Sequence, residues 1–196
     1  MATQGTANER HYVACAPTGI AALLLAGGRT IHNTFSIPIT VQEETSSQMS
    51  YEHWQCERLR NADIIIVDEI SMLHSTVFHH MNKVLQSMYR ADQPERTLPF
   101  AGKIIVMGGD WKQLMPIVNK GTAQDCAAAS VKRSALFADF HRFRLTKNLR
   151  TGEGQKEFST FLKAIGTGKI GTAEHFGAIR VSHIHGKIVS DYICHV

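Results

Sequence analysis

The sequence predicts an α/β domain built on a parallel sheet, and two observations carry that prediction. Asp63–Val67 (DIIIV) and Lys103–Met107 (KIIVM) are continuous apolar, β-branched runs of strand length. A strand that is apolar all round suits the middle of a parallel sheet better than a half-wet antiparallel one. Between the two runs, Ser75–Tyr89 sets Val77, Met81, Val84, Leu85 and Met88 on one side of an amphipathic helix. Strands alternating with helices imply crossover connections.

The other elements follow in chain order. His11–Ala16 (HYVACA) reads as a short strand entering a turn at Pro17–Thr18–Gly19. Ile20–Ala26 is then a short apolar helix stopped by Gly27–Gly28, with glycine in its usual place after a helix. Thr30–Phe35 gives a further helical turn before Pro38, residues 40–50 form a polar loop, and Tyr51–Asn61 has a helical composition. Beyond the second core strand, Phe143–Leu145 is a weaker third strand and Glu153–Ile165 a final helix. His79 and His80 are expected on the surface of the Ser75–Tyr89 helix.

The totals exclude several classes. With 196 residues, 43% hydrophobic and 19% charged, the chain suits one globular domain with a core of useful size. No apolar run approaches the roughly 18 residues of a membrane span, and the polar opening stretch Met1–Arg10 has no signal-like apolar region. Four cysteines lie far apart with no C-x-x-C pair, which argues for a reducing compartment and against a disulfide framework. The tail residues His183, His185, Cys194 and His195 match no structural zinc spacing. A net charge of +4 is compatible with a polyanionic partner and with many other things.

In a parallel α/β sheet, ligands bind beyond the carboxyl ends of the strands, so the polar residues after each apolar run are the candidates. Asp68–Glu69 follows the first core strand. An Asp there can hold magnesium, largely through water, and a neighbouring Glu can deprotonate an attacking water. A solvated acidic turn explains the pair equally well. Gly108–Gly109–Asp110–Trp111–Lys112–Gln113 follows the second core strand. Its glycines permit a tight turn beside a ligand, and Gln113 can bond a γ-phosphate or its water; an ordinary Gly–Gly–Asp turn is the alternative. Arg150, ending LTKNLR, is either a phosphoryl-stabilising cation or a surface arginine. Pro17, Thr18 and Gly19 sit at a strand-to-helix junction suited to a DNA phosphate. His32 and Phe35, one turn apart, can stack on a single strand, although Phe35 fits a core position as readily.

Taken together, APTGIAALLLAGGRTIHNTFSIP, IIIVDEISML, IIVMGGDWKQLMPIV and LTKNLR, in that order over about Tyr12–Ile165, resemble the Pif-type branch of superfamily-one DNA helicases, including the helicase domains of Helitron-class mobile elements. The resemblance implies a RecA-like parallel sheet with flanking helices, a motor that hydrolyses ATP and unwinds DNA 5′ to 3′, and service in DNA repair, recombination or telomere maintenance. By position it implies that Asp68 holds Mg²⁺, Glu69 is the catalytic glutamate, Gln113 senses the γ-phosphate and Arg150 is the arginine after the third strand. Gly109 and Asp110 fall in the nucleotide-binding segment, and Pro17, Thr18, Gly19, His32 and Phe35 in segments that line the DNA path. Expected partners are ATP and single-stranded or forked DNA, without a membrane. The expected location is intracellular, nuclear in a eukaryote or else mitochondrial.

Trp111, Lys112 and Leu149 stand where the family commonly has Phe, Arg and Met. The larger departure is that the 196 residues contain no G-x-x-x-x-G-K-T/S phosphate loop: Gly102–Lys103, Gly168–Lys169 and Gly186–Lys187 are each followed by Ile. Residues 1–166 are therefore expected to form a partial first motor domain with part of its sheet uncovered, and 167–196 a divergent tail. The alternative function is a non-catalytic helicase remnant that binds DNA or a partner, or a truncated gene model of a mobile element.

Overall fold

A computed structural model describes residues 11–40, 54–147, 149 and 155–167. The chain divides into two compact units, Met1–His141 and Arg142–Val196. The first contains a four-stranded, all-parallel sheet. Its strands are β1 (Tyr12–Ala16), β2 (Arg29–Thr30), β3 (Ile64–Val67) and β4 (Ile104–Met107), in the spatial order β2-β1-β3-β4. The two apolar runs are adjacent strands, as their composition implies. The two-residue β2 is an addition to the predicted elements.

Among its described residues the first unit also holds the helices α1 (Gly19–Leu23), α2 (Ile31–Phe35), α3 (Trp54–Asn61), α4 (Ser75–Ser87) and α5 (Ala123–Ala128), followed by the single turn α6 (Ala135–Ala138). In α4 the predicted apolar side is buried: Val77, Met81, Val84 and Leu85, with Met88 just beyond, pack in the core. That core also takes Val13 and Cys15 from β1 and Ile65 and Val67 from β3. His80 lies in it too, only 4% exposed, which corrects the surface placement expected for it. His79 is half-buried, with its Nε2 2.8 Å from Ser134 Oγ.

On the other side of the sheet a smaller cluster of Ala16, Ala21 and Ala22, with Leu25, seats α1 on β1. Small side chains allow that close approach. Gly28 is required where the chain turns away, because a Cβ there would stand 2.3 Å from the Ala22 carbonyl oxygen. This second face is incompletely covered. Ile104 and Val106 of β4 are each 49% exposed, so KIIVM packs on the core through one face only, where Ile105 and Met107 are partly buried. At the amino ends of β3 and β4, the Lys103 ammonium donates to the Arg60 and Ala62 carbonyls, both at 2.8 Å, and ties the end of α3 to the sheet.

In the second unit α7 (Lys156–Gly166) matches the predicted final helix. The third strand is not formed. Phe143 and Leu145 are 90% and 101% exposed, and the segment has no ladder partner among the described residues. An apolar triplet becomes a strand only where an edge pairs its backbone and a face buries its side chains. No described helix is long and apolar enough to cross a membrane.

Candidate functional site

Register brings three of the polar clusters to one edge. Cys15 of β1 stands opposite Val67 of β3, and Val67 opposite Met107 of β4. Pro17–Thr18–Gly19, Asp68–Glu69 and the Gly108–Gln113 loop therefore all emerge at the carboxyl end of the same parallel sheet. The ladder continues past the strands: Asp68 N donates to Cys15 O at 3.0 Å and Gly108 N to Val67 O at 2.9 Å. Beyond it, Ile70 N donates to Gly108 O at 2.9 Å and locks the two loops together.

The two glycines are where these loops touch. A Cβ on Gly108 would lie 2.8 Å from Asp68 Oδ1. One on Gly109 would lie 2.9 Å from Ile70 Cγ2 and 3.2 Å from the backbone nitrogens of Ile70 and Ser71. A side chain at either position would force the acidic turn to shift.

Glu69 is held in an unusual state. Its backbone is left-handed at φ 53°, ψ 40°, which costs a non-glycine residue about 1 kcal/mol. Three hydrogen bonds impose it: Glu69 N to Asp68 Oδ1 at 2.9 Å, Met72 N to Glu69 O at 3.1 Å, and the Ile70–Gly108 bond. The result aims the carboxylate so that Oε2 is buried without a hydrogen-bond partner among the described residues. A buried, unpaired carboxylate oxygen is costly unless something outside the chain completes it. Ser71 Oγ, two residues on, is also buried without a described partner. Sequence reasoning missed this serine, since nothing in its spacing marks it.

In the facing loop, Asp110 Oδ1 accepts from Lys112 N and Asp110 O from Gln113 N, each at 3.0 Å. This tight turn leaves Gln113 exposed at the sheet edge. Asp110 is thus occupied in shaping the loop. Asp68 also has one oxygen committed to backbone, and the described residues hold no cluster of three or more His, Cys, Asp or Glu side chains. A divalent cation here would depend on Asp68 plus water and ligand oxygens. Magnesium, which keeps most of its water and accepts one or two carboxylates, fits that donor set.

The remaining candidates divide. Thr18 caps α1, its Oγ1 accepting from Ala21 N at 3.3 Å, while Gly19 is exposed with open space around the position of a Cβ. Pro17 is half-buried beside them. His32 turns Nδ1 inward, 3.1 Å from Ile37 O and 3.0 Å from Pro38 O, and so braces the loop after α2. Phe35 is 0% exposed within the main core. It cannot offer a ring face to a base, and its assignment to the DNA path is corrected to packing. Arg150 lies outside the described residues, as do His183, His185, Cys194 and His195.

Comparison with known proteins places this geometry. The family model of PIF1-like helicases matches residues 2–175. The ATP-dependent DNA helicase Pif1 of Psychrobacter sp. (strain PRwf-1) is 33% identical over 144 residues, covering 72% of this chain and 21% of that protein. The zebrafish (Danio rerio) PIF1 helicase is 26% identical over 174 residues, covering 85% of this chain and 25% of its own length. Among solved structures, a Bacteroides Pif1 helicase in complex with ADP-AlF3 and single-stranded DNA superimposes with a TM-score of 0.68 and 29% identity, over 82% of this chain and 37% of that one. The chain thus spans about a fifth to a quarter of these two curated relatives.

Proposed function

From the premise that the chain belongs to the PIF1-like helicase family, we propose that it supplies the hydrolytic edge of an ATP-driven motor that unwinds DNA 5′ to 3′ from a single-stranded or forked end. One observation carries this reading: Glu69, held left-handed with Oε2 buried and without a partner among the described residues, stands at the sheet edge locked to the Gly108–Gln113 loop.

In this reading Glu69 takes a proton from the attacking water as the water oxygen bonds to the γ-phosphorus. The bond from that phosphorus to the bridging oxygen breaks, and ADP leaves. Such a base contributes roughly 10²–10⁴-fold in rate. Gln113 orients the water or γ-phosphate, and Arg150 balances charge on the transferring group. Asp68 is the residue that would hold Mg²⁺, whose chemistry is to neutralise the phosphate oxygens. Gly109 and Asp110 shape the nucleotide-facing loop. Pro17, Thr18, Gly19 and His32 border the DNA path. We further propose that it serves DNA repair, recombination or telomere maintenance inside the cell, in the nucleus of a eukaryotic host or its mitochondrion.

The 196 residues contain no phosphate loop, which favours a second reading for this stretch taken alone: it binds DNA without turning over ATP. Both readings are tested together. The 196-residue chain should show no magnesium-dependent ATP turnover above background. A chimera joining residues 12–166 to the phosphate loop and second motor domain of a bacterial relative should hydrolyse ATP. In that chimera Glu69→Gln should abolish turnover while ATP affinity stays within a few-fold. Loss of ATP binding in Glu69→Gln, or unchanged turnover, would remove Glu69 from its assigned role.

A further inference from the structure

A second surface near the same edge is built from residues distant in sequence. Trp111, Met115, Ala127, Ser130, Lys132 and Arg133 line an open cleft of about 410 Å³, within the range that admits a nucleobase-sized ligand. Its floor is apolar and its rim cationic. Lys132 Nζ sits over the Trp111 ring, 4.2 Å from the centroid, and Phe137 meets that ring edge-on at 5.8 Å. Trp111 is nevertheless 37% exposed. Lys132 and Arg133 are both exposed.

The nearby acids are turned to other tasks. Asp125 accepts from both the backbone N–H and the hydroxyl of Thr122, each at 2.7 Å, in the capping box of α5. Asp110 is bonded to Lys112 N. Each carboxylate thus holds its own turn. The cleft wall is also fixed to the start of α4: His74 bridges to Ser130, and Ser75 N donates to Ala129 O at 2.8 Å.

We infer that this cleft is a binding subsite for single-stranded nucleic acid, with one base on Trp111 and adjacent phosphates on Lys132 and Arg133. An exposed indole beside paired cations combines the two interactions that hold a strand without reading its sequence, base stacking and phosphate neutralisation. Duplex DNA keeps its base faces stacked inside, so only an unpaired strand satisfies both. An arriving phosphate draws Lys132 off the indole and opens that ring face to the base. The inference rests on the nucleic-acid half of the proposed function and adds a subsite on the side of the Gly108–Gln113 loop, apart from the Thr18–Gly19 junction.

The test uses the full 196-residue chain. Fluorescence anisotropy with a labelled oligothymidylate should show affinity about tenfold weaker in Lys132→Gln/Arg133→Gln. The slope of log K against log salt should fall by about 1.4, roughly 0.7 for each single-strand phosphate that the variant leaves without a cation. Both side chains are exposed, so the variant should melt as the parent does. In a Trp54→Phe background, where Trp111 is the sole tryptophan, oligothymidylate should quench emission, whereas an abasic oligomer or thymidine monophosphate at equal concentration should not. Equal quenching by the monophosphate would overturn the inference in favour of a free-nucleotide pocket. Binding that survives Lys132→Gln/Arg133→Gln with its slope unchanged would overturn the subsite and leave the motor reading standing. Failure of the parent chain to bind any single strand would overturn the subsite and the DNA half of the proposed function together.

Discussion

Gly109→Ala and Gly19→Ala make the same chemical change and should move stability in opposite directions. At Gly109 the new methyl would sit 2.9 Å from Ile70 Cγ2 and 3.2 Å from two backbone nitrogens, well inside ordinary carbon contact distances. Ile70 is 3% exposed and cannot swing aside, and its N–H is bonded to Gly108 O. The strain can be relieved only by parting the two loops. Overpacking of this kind costs about 1–3 kcal/mol, and losing the Ile70–Gly108 bond adds about 1. Gly109→Ala should therefore destabilise by about 2–4 kcal/mol. At Gly19 nothing lies within 4 Å of the new methyl and the residue opens α1, so alanine should gain up to about 1 kcal/mol from helix propensity and a less flexible unfolded chain. Urea unfolding with a common m-value reads both directly. If Gly109→Ala unfolds within about 0.5 kcal/mol of Gly19→Ala, the direct contact between the acidic turn and the Gly–Gly loop does not exist, and the site built on it fails.

Two further predictions address buried chemistry. Burial pushes the Cys15 thiol from 9.0 up to about 12, against a smaller opposing pull from Arg58. The folded chain then keeps that proton longer than the unfolded chain does. Stability is intact below pH 9 and falls as pH rises toward 12, by about 1.4 kcal/mol per unit. Cys56 and Tyr89, also raised by burial, push in the same direction, while Lys103, lowered by burial, opposes them. In Cys15→Ala the decline between pH 8 and 10, followed by denaturant titration, should flatten; an unchanged slope would mean the thiol is not protonated and buried as described. Glu69→Gly should stabilise the chain by about 0.5–1 kcal/mol, because glycine adopts the left-handed backbone without penalty. Marked destabilisation in the same titration would show that Glu69 is not strained.

The sheet and its acidic edge were legible because each is written locally. A β-branched run such as IIIV has few places to go but the middle of a parallel sheet, and the chemistry expected at its carboxyl end sits in the next two residues. What the sequence hid lies in contacts between separated segments. Phe35 and His80 occur in patterns that fit surface or core alike, and only the packing of α2 and α4 buries them. Phe143–Leu145 shows the reverse: a strand-like composition that forms no strand among the described residues. The α5 helix was overlooked although Thr122 and Asp125 carry a capping-box spacing, because the segment it opens is alanine-rich and short of apolar periodicity.

The half-covered face of β4 follows from the same logic. Ile104 and Val106 have the composition of an interior strand, yet each is 49% exposed. A side chain selected for burial and left half in water forgoes part of the roughly 1.5–3 kcal/mol that burying it would return. Two such residues side by side represent a substantial fraction of the 5–15 kcal/mol by which a domain is usually stable. Composition and exposure therefore disagree at β4, and more than at Ile64 and Ile66, its half-buried register partners on the same face of β3. The disagreement lies one strand away from Glu69, in the strand whose end carries Gly108 and Gly109. The geometry of the acidic edge thus depends on a strand that is stabilised from one side, and interactions that cover Ile104 and Val106 would steady that edge.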